Sequence, residues 1–112
     1  MQITEAVRLL TEAIQESPEY REFSQHKAEI DADAGIKSLV TEYKRLQTVT
    51  QMRMLSGQGA DAEEQQRFTQ LGSLLFADQR TSAFLLSEMR LQRLMAEVFE
   101  KLTAAAGMEM PL

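Results

Sequence analysis

Histidine is the side chain most often used for acid–base and metal chemistry near neutral pH, and this chain has one histidine, His26. A single histidine cannot form an HExxH zinc helix or a two-histidine metal site within one chain. No sequence signature indicates a serine nucleophile that His26 could serve. We therefore expect a structural role for His26, and the sequence indicates no catalytic residue and no metal ligand.

Two other groups of residues have the composition of a site but the spacing of a helix boundary. The carboxylates of Asp61, Glu63 and Glu64 could attract a divalent cation, yet acids at a helix start are what the helix dipole favours. Gly57 and Gly59 are not followed by the Gly-Lys-Ser or Gly-Lys-Thr of a phosphate-binding loop. We expect the acids to cap a helix and the glycines to form a turn.

The composition excludes several further classes of site. The chain has no cysteine, which excludes disulfides, thiolate nucleophiles, cysteine-ligated zinc and iron–sulfur clusters. It has no signal peptide pattern and no apolar run near the roughly 20 residues of a membrane span. Its net charge of -5 disfavours nonspecific binding to nucleic acid or anionic membranes. We expect a cytoplasmic protein without cofactors and without enzymatic activity.

Glu88 is the most informative polar residue, because it lies between Phe84 and Leu91 where the pattern of the last helix calls for an apolar side chain. A buried carboxylate would require a hydrogen bond or ion pair from a lysine, an arginine, His26 or a tyrosine on a facing helix. The alternative is a position at the edge of the apolar stripe, in water.

The charge is unevenly distributed along the chain. Residues 1–33 hold eight acids and three bases, whereas residues 34–56 hold four bases and one acid. Three of these bases, Lys37, Lys44 and Arg45, are assigned to the face opposite the apolar stripe of their helix. Such a face is typical of a solvated surface, and RNA contact by these three residues is the alternative.

Methionine is concentrated at the end of the third helix, in Met52 and Met54 beside Leu55, and in the last helix, in Met89 and Met95. Flexible methionines fill irregular cores and, less often, line partner-binding grooves, so we expect these residues to pack in the core. Long helices in a chain of 112 residues must also leave apolar surface far from any core. We therefore expect a homodimer.

The apolar periodicity predicts an all-α fold of about five helices, arranged as long antiparallel hairpins in a bundle. The first helix covers residues 3–15, with Ile3, Val7, Leu10 and Ile14 on one face. Ser17 and Pro18 begin a second helix that ends near Asp33. The third helix ends at the glycine turn after Ser56.

The second half of the chain contains the remaining two helices. Asp61 opens a fourth helix, which Gly72 weakens, and Asp78 or Thr81 caps a fifth and longest helix. We expect residues 1–106 to form a single domain and residues 107–112, with Pro111, to form a flexible tail.

The ordered elements resemble the YlbF/YmcA family of small bacterial helical proteins, including its YheA-like branch. The matching stretches are Ala13-Ile14, Ser17-Pro18-Glu19-Tyr20, Leu39-Val40-Thr41-Glu42-Tyr43 with Leu46-Gln47, the glycine turn, and Phe84-Leu85-Leu86-Ser87-Glu88 with Leu91 and Leu94. The resemblance implies a helical, usually dimeric protein with a non-catalytic role in complexes that influence RNA processing and developmental control. Some members of the family are associated with cysteine-ligated iron–sulfur clusters. This chain has no cysteine, so we do not expect it to bind such a cluster.

The sequence and the resemblance together indicate a regulatory adaptor that binds another cytoplasmic protein through the faces of its helices. An RNA-associated protein is the alternative. The structural or interaction candidates are Tyr43, Leu46, Met54, Glu88, Leu91 and Met95.

Overall fold

The structure, a computed structural model, describes residues 1–108, and these residues form five helices without strands. The helices are α1 (Ile3–Glu16), α2 (Pro18–Asp31), α3 (Ala34–Ser56), α4 (Ala62–Ala77) and α5 (Gln79–Ala106). The predicted all-α class is confirmed. The part of the predicted tail that follows Met108 lies outside the described residues.

Local capping chemistry explains where α2 begins and where α3 begins and ends. The Ser17 hydroxyl accepts a hydrogen bond from the Tyr20 backbone N–H at 3.2 Å, and Pro18 occupies the first position of α2. The Asp33 carboxylate caps α3 by accepting from the Ile36 N–H at 3.2 Å. Gly57 ends α3 with a φ of 74°, a left-handed conformation that glycine adopts without steric cost.

The starts of α4 and α5 each depend on an aspartate. Asp61 accepts a hydrogen bond from the Glu64 N–H at 3.0 Å, as predicted. Asp78 is the only residue between α4 and α5, and its carboxylate accepts from the backbone N–H groups of Arg80 and Thr81. The cap of α5 is therefore Asp78, and Thr81 has a different role, described below.

The described chain divides into two compact units, and α2 and α5 each contribute residues to both. The first unit contains residues 1–26 and the chain from Leu85 onward, and the second contains Lys27–Phe84. The single domain predicted for residues 1–106 remains a prediction.

The second unit is built on the hairpin of α3 and α4. The Tyr43 ring packs on Phe68 with centroids 4.9 Å apart and meets Phe76 edge-on at 6.3 Å. The buried apolar side chains of this unit are Ile30, Val40, Leu46, Leu71, Leu75 and Phe84. At the corner between α4 and α5, the buried Thr81 hydroxyl donates a hydrogen bond to the Leu75 carbonyl, which closes the end of α4.

The first unit is less well covered. Leu85 and Ser87 of α5 are buried, whereas α1 has no buried residue at all. An ion pair of 3.2 Å joins Arg90 of α5 to Glu22 of α2. The described residues of this unit therefore leave part of the apolar stripe of α1 exposed.

Candidate interaction surfaces

The apolar stripe of α1 is exposed at its N-terminal end. We call the four residues Ile3, Val7, Leu10 and Ile14 the α1 face. Ile3 is 82% exposed and Val7 is 53% exposed, while Leu10 and Ile14 are half-buried. Because exposed aliphatic side chains at this spacing form one continuous strip, the α1 face is a candidate interaction surface.

The charged residues of α1 lie on the opposite side of the helix. An α-helix of about 3.6 residues per turn rotates by about 100° at each residue. On this geometry Glu5, Glu12 and Glu16 lie about 150° or more around the helix from the middle of the α1 face. The Arg8 guanidinium pairs with the Glu12 carboxylate at 2.9 Å. The α1 face is consequently free of charge.

A second apolar surface lies at the end of α3, where Met52, Met54 and Leu55 are 64%, 74% and 89% exposed. We call these residues the methionine tip. The expectation that they pack in a core is wrong for the described chain, because the α3–α4 hairpin ends beside them and provides no layer of side chains to cover them. A shallow depression beside the tip is lined by Val49, Met52, Arg53, Ser56 and Gln58.

The C-terminal half of α5 carries the third exposed stripe. Leu91 is half-buried, and Met95 and Leu102 of the same stripe are 45% and 56% exposed. Met89, on an adjoining side of the helix, is 57% exposed. We call Leu91, Met95, Val98 and Leu102 the α5 stripe.

The remaining candidates named from sequence have different environments. Leu46 is a core residue with 2% exposure, and Tyr43 is held between the rings of Phe68 and Phe76. Both are structural residues of the α3–α4 hairpin. Glu88 is half-buried and takes part in an interaction. A hydrogen bond or ion pair from a facing helix to its carboxylate remains a prediction.

Three of the basic residues of α3, Lys37, Lys44 and Arg45, do not form one outer face. Lys37 is 3.6 Å from the Asp31 carboxylate, and Arg45 is exposed. Lys44 is half-buried and its ammonium lies 5.0 Å from the centroid of the Phe84 ring, a cation–π geometry. The assignment of Lys44 to the solvated face is wrong because Lys44 follows the buried Val40 by one helical turn and shares its side.

Lys37 and Arg45 both line a shallow depression of about 500 Å³ on α3, whose other lining residues are Ala34, Ser38, Thr41 and Glu42. The Glu42 carboxylate in this wall is occupied by the Arg67 guanidinium, with two hydrogen bonds of 3.0 and 3.1 Å. Hydrogen bonding from Arg67, supported by the positive charge of its guanidinium, lowers the pKa of Glu42 below its ordinary value. The depression therefore carries a paired acid beside two bases.

The other carboxylates that could suggest a metal site act in structural pairs. Asp61 caps α4, and the Glu64 carboxylate accepts a hydrogen bond from Arg53 Nε at 3.2 Å. A hydrogen bond from Lys27 lowers the pKa of Asp31. Residues 1–108 contain no group of three or more histidine, cysteine, aspartate or glutamate side chains able to hold a metal ion.

Residues 3–105 match the family described as control of competence regulator ComK, YlbF/YmcA. The chain belongs to the YlbF/YmcA family. The match covers all five helices apart from the last residue of α5. The predicted resemblance is thereby confirmed, and membership places the chain in a family named for a regulatory role.

Relatives of this YlbF/YmcA chain carry the name UPF0342 protein. One from Caldicellulosiruptor saccharolyticus is 25% identical over 100 residues, which cover 89% of this chain and 83% of the relative. One from Symbiobacterium thermophilum is 24% identical over 102 residues, which cover 91% of each. One from Streptococcus pyogenes serotype M4 is 30% identical over 89 residues, with 80% and 79% coverage. The similarity therefore extends along nearly the whole helical region.

The sequence revealed the α1 face as a stripe but gave no signal of whether another element covers it. It also gave no indication that Leu74 and Phe76 of α4 would be 56% and 44% exposed.

No helix within residues 1–108 of this YlbF/YmcA protein is both long and apolar enough to cross a membrane.

Proposed function

We propose that this chain is a non-catalytic regulatory adaptor, which acts by presenting helix faces to other protein surfaces. The observation that carries this proposal is the α1 face, an uncharged aliphatic strip on a helix that has no buried residue. Apolar surface of this kind is costly to leave in water and marks sites of protein contact. A regulatory role also agrees with the description of the family.

Several carboxylates that could do chemistry have structural roles instead, which supports an adaptor more than an enzyme. Asp33, Asp61 and Asp78 cap helices. Glu42 and Glu64 are paired with arginines of the α3–α4 hairpin. We therefore propose no catalytic residue and no cofactor.

We further propose that the adaptor is a homodimer formed through the α5 stripe. The 28 residues of α5 make a helix of about 42 Å, which can supply a long contact surface. Met95 and Leu102 are exposed on this stripe, and a twofold axis would bury both residues in each copy.

The proposal is tested by affinity capture of the tagged protein from its native cells, with and without ribonuclease, followed by mass spectrometry. We expect a protein partner that survives ribonuclease. The matched variant K37Q/R45Q replaces the two exposed bases and leaves Lys44 on the Phe84 ring, and capture of the partner should persist in it. Loss of every partner after ribonuclease, or loss in the glutamine variant, would replace the adaptor by an RNA-associated protein.

A further inference from the structure

We propose that Met95 is an oxidation-sensitive modification site, at which a peroxide converts the thioether to a sulfoxide and thereby weakens contact through the α5 stripe. Met95 lies inside this stripe, one helical turn after Leu91 and three residues before Val98. The proposal rests on the homodimer proposed above and adds a chemical means of controlling it.

The oxidisable sulfur of this chain is all in methionine. The sequence has seven methionines and no cysteine. The six methionines within residues 1–108 are all exposed, and Met95, at 45%, is the least exposed of them. Access to an oxidant therefore does not single out one methionine. The consequence of oxidation does, because Met95 alone among these six belongs to the α5 stripe.

The reaction is a two-electron oxidation of the thioether by hydrogen peroxide. A sulfur lone pair attacks one peroxide oxygen, the O–O bond breaks, and a sulfur–oxygen bond forms. The proton on the transferred oxygen moves to the departing hydroxide, which leaves as water. Met95 thus becomes methionine sulfoxide, which is polar where the thioether was apolar, and methionine sulfoxide reductases reverse the change.

Burying a sulfoxide oxygen in the α5 stripe is unfavourable. The side chains of Leu91, Val98 and Leu102 have no hydrogen-bond donor to offer it. A polar group that moves from water into apolar surroundings without a hydrogen bond is destabilising. In the single chain the same oxygen stays in water, because Met95 is 45% exposed. Oxidation therefore raises the free energy of the dimer relative to that of the separate chains.

Dimer formation and oxidation of Met95 oppose each other. A contact that buries Met95 shields its sulfur from the peroxide, so the separate chain is the form that reacts. Sulfoxide formation at Met95 should consequently become slower as the protein concentration rises. Met54 provides an internal reference, because it is 74% exposed and lies in the other compact unit. Its rate of oxidation should not depend on protein concentration.

The test compares the unaltered chain with M95L and M54L, two substitutions that remove the sulfur and keep an apolar side chain of similar volume. Each protein is treated with hydrogen peroxide, and peptide mass spectrometry quantifies the sulfoxide at each methionine. Sedimentation equilibrium gives the dimer dissociation constant before and after treatment. We expect oxidation to raise this constant at least about tenfold in the unaltered chain and in M54L, and to leave it unchanged in M95L. Treatment with both methionine sulfoxide reductases should restore the original constant.

Two results would overturn the proposal while the dimer stands. One is an unchanged dissociation constant when Met95 is largely converted to the sulfoxide. The other is an equal loss of the dimer in oxidised M95L, which would assign the effect to another methionine.

Failure of the dimer itself gives a different result. A chain that is monomeric at every concentration before peroxide is added would remove both the homodimer and the role of Met95. The rate of Met95 oxidation would then be independent of protein concentration, as it is for Met54.

Discussion

Gly72 lies in the interior of α4 and faces the ring of Tyr43. The absence of a side chain leaves room for that ring but lowers the stability of the helix. A Cβ at this position would lie 3.4 Å from Tyr43 Cε1, an ordinary van der Waals distance. Glycine in a helix interior costs about 1 kcal/mol relative to alanine. We predict that G72A raises the free energy of unfolding by about 0.5–1 kcal/mol, measured by urea denaturation.

The matched changes for this prediction are a larger side chain and a different glycine. G72L must displace the Tyr43 ring and should lower the free energy of unfolding by about 1–3 kcal/mol. G57A has open space around its Cβ but a φ of 74°, and it should be destabilising by about 1 kcal/mol. A destabilising G72A would mean that the hairpin tolerates no atom between α4 and Tyr43.

The pair of Glu42 and Arg67 gives the hairpin a dependence on pH. The hydrogen bond from Arg67 holds the pKa of Glu42 below 4.5 in the folded chain, so the unfolded state binds the proton more tightly. The contribution of this pair is therefore present above pH 4.5 and is lost as the pH falls through the folded pKa. An NMR titration of the Glu42 side chain should show a midpoint below 4.5 that rises in R67Q. An unchanged midpoint in R67Q would contradict the assigned cause.

At the scale of the elements, the sharp corner between α4 and α5 depends on Thr81. Its hydroxyl is buried and donates to the Leu75 carbonyl, one of the acceptors that the end of α4 leaves without a helical partner. We predict that T81V, which keeps the shape but removes the donor, lowers the free energy of unfolding by about 1–3 kcal/mol. T81S should retain most of the stability in the same urea denaturation. Equal stability of T81V and the unaltered chain would show that the corner needs only the shape of the side chain.

The helix boundaries could be predicted from sequence because their causes are local. Ser17 with Pro18, Gly57 and Asp61 act within one turn of the chain, and the sequence predicts the observed role of each. For Thr81 the sequence predicts only a possible cap, because its bond to the Leu75 carbonyl crosses a corner that the sequence does not specify. Interactions within one helical turn can thus be predicted from the sequence, whereas interactions across a corner between two helices cannot.

Exposure depends on which elements become neighbours, and this limited the prediction of surfaces. Leu46, Thr50 and Met54 follow one another at intervals of four residues, which predicts one face of α3, yet Leu46 and Met54 are 2% and 74% exposed. The difference arises because Met54 lies at the end of the hairpin and Leu46 lies within it. For Lys44 the error is the opposite, because the sequence predicts a solvent-exposed side chain. Lys44 follows Val40 by one turn and lies against the Phe84 ring.

At the scale of the whole molecule, the α5 stripe determines whether the proposed dimer forms. Replacement of Met95 and Leu102 by serine removes apolar area that the contact would bury, and fully burying one such side chain contributes about 1.5–3 kcal/mol. We predict that M95S/L102S raises the dimer dissociation constant at least about tenfold, measured by sedimentation equilibrium. The helical signal in circular dichroism should be retained, because both residues are exposed in the single chain.

The control for the dimer is the methionine tip, which has comparable exposure and lies in the other compact unit. M54S should leave the dimer constant unchanged if α5 forms the contact. A monomeric mass for the unaltered chain at all concentrations would exclude the dimer. Dissociation by M54S in place of M95S/L102S would transfer the contact to the tip and leave the α5 stripe available to the partner protein.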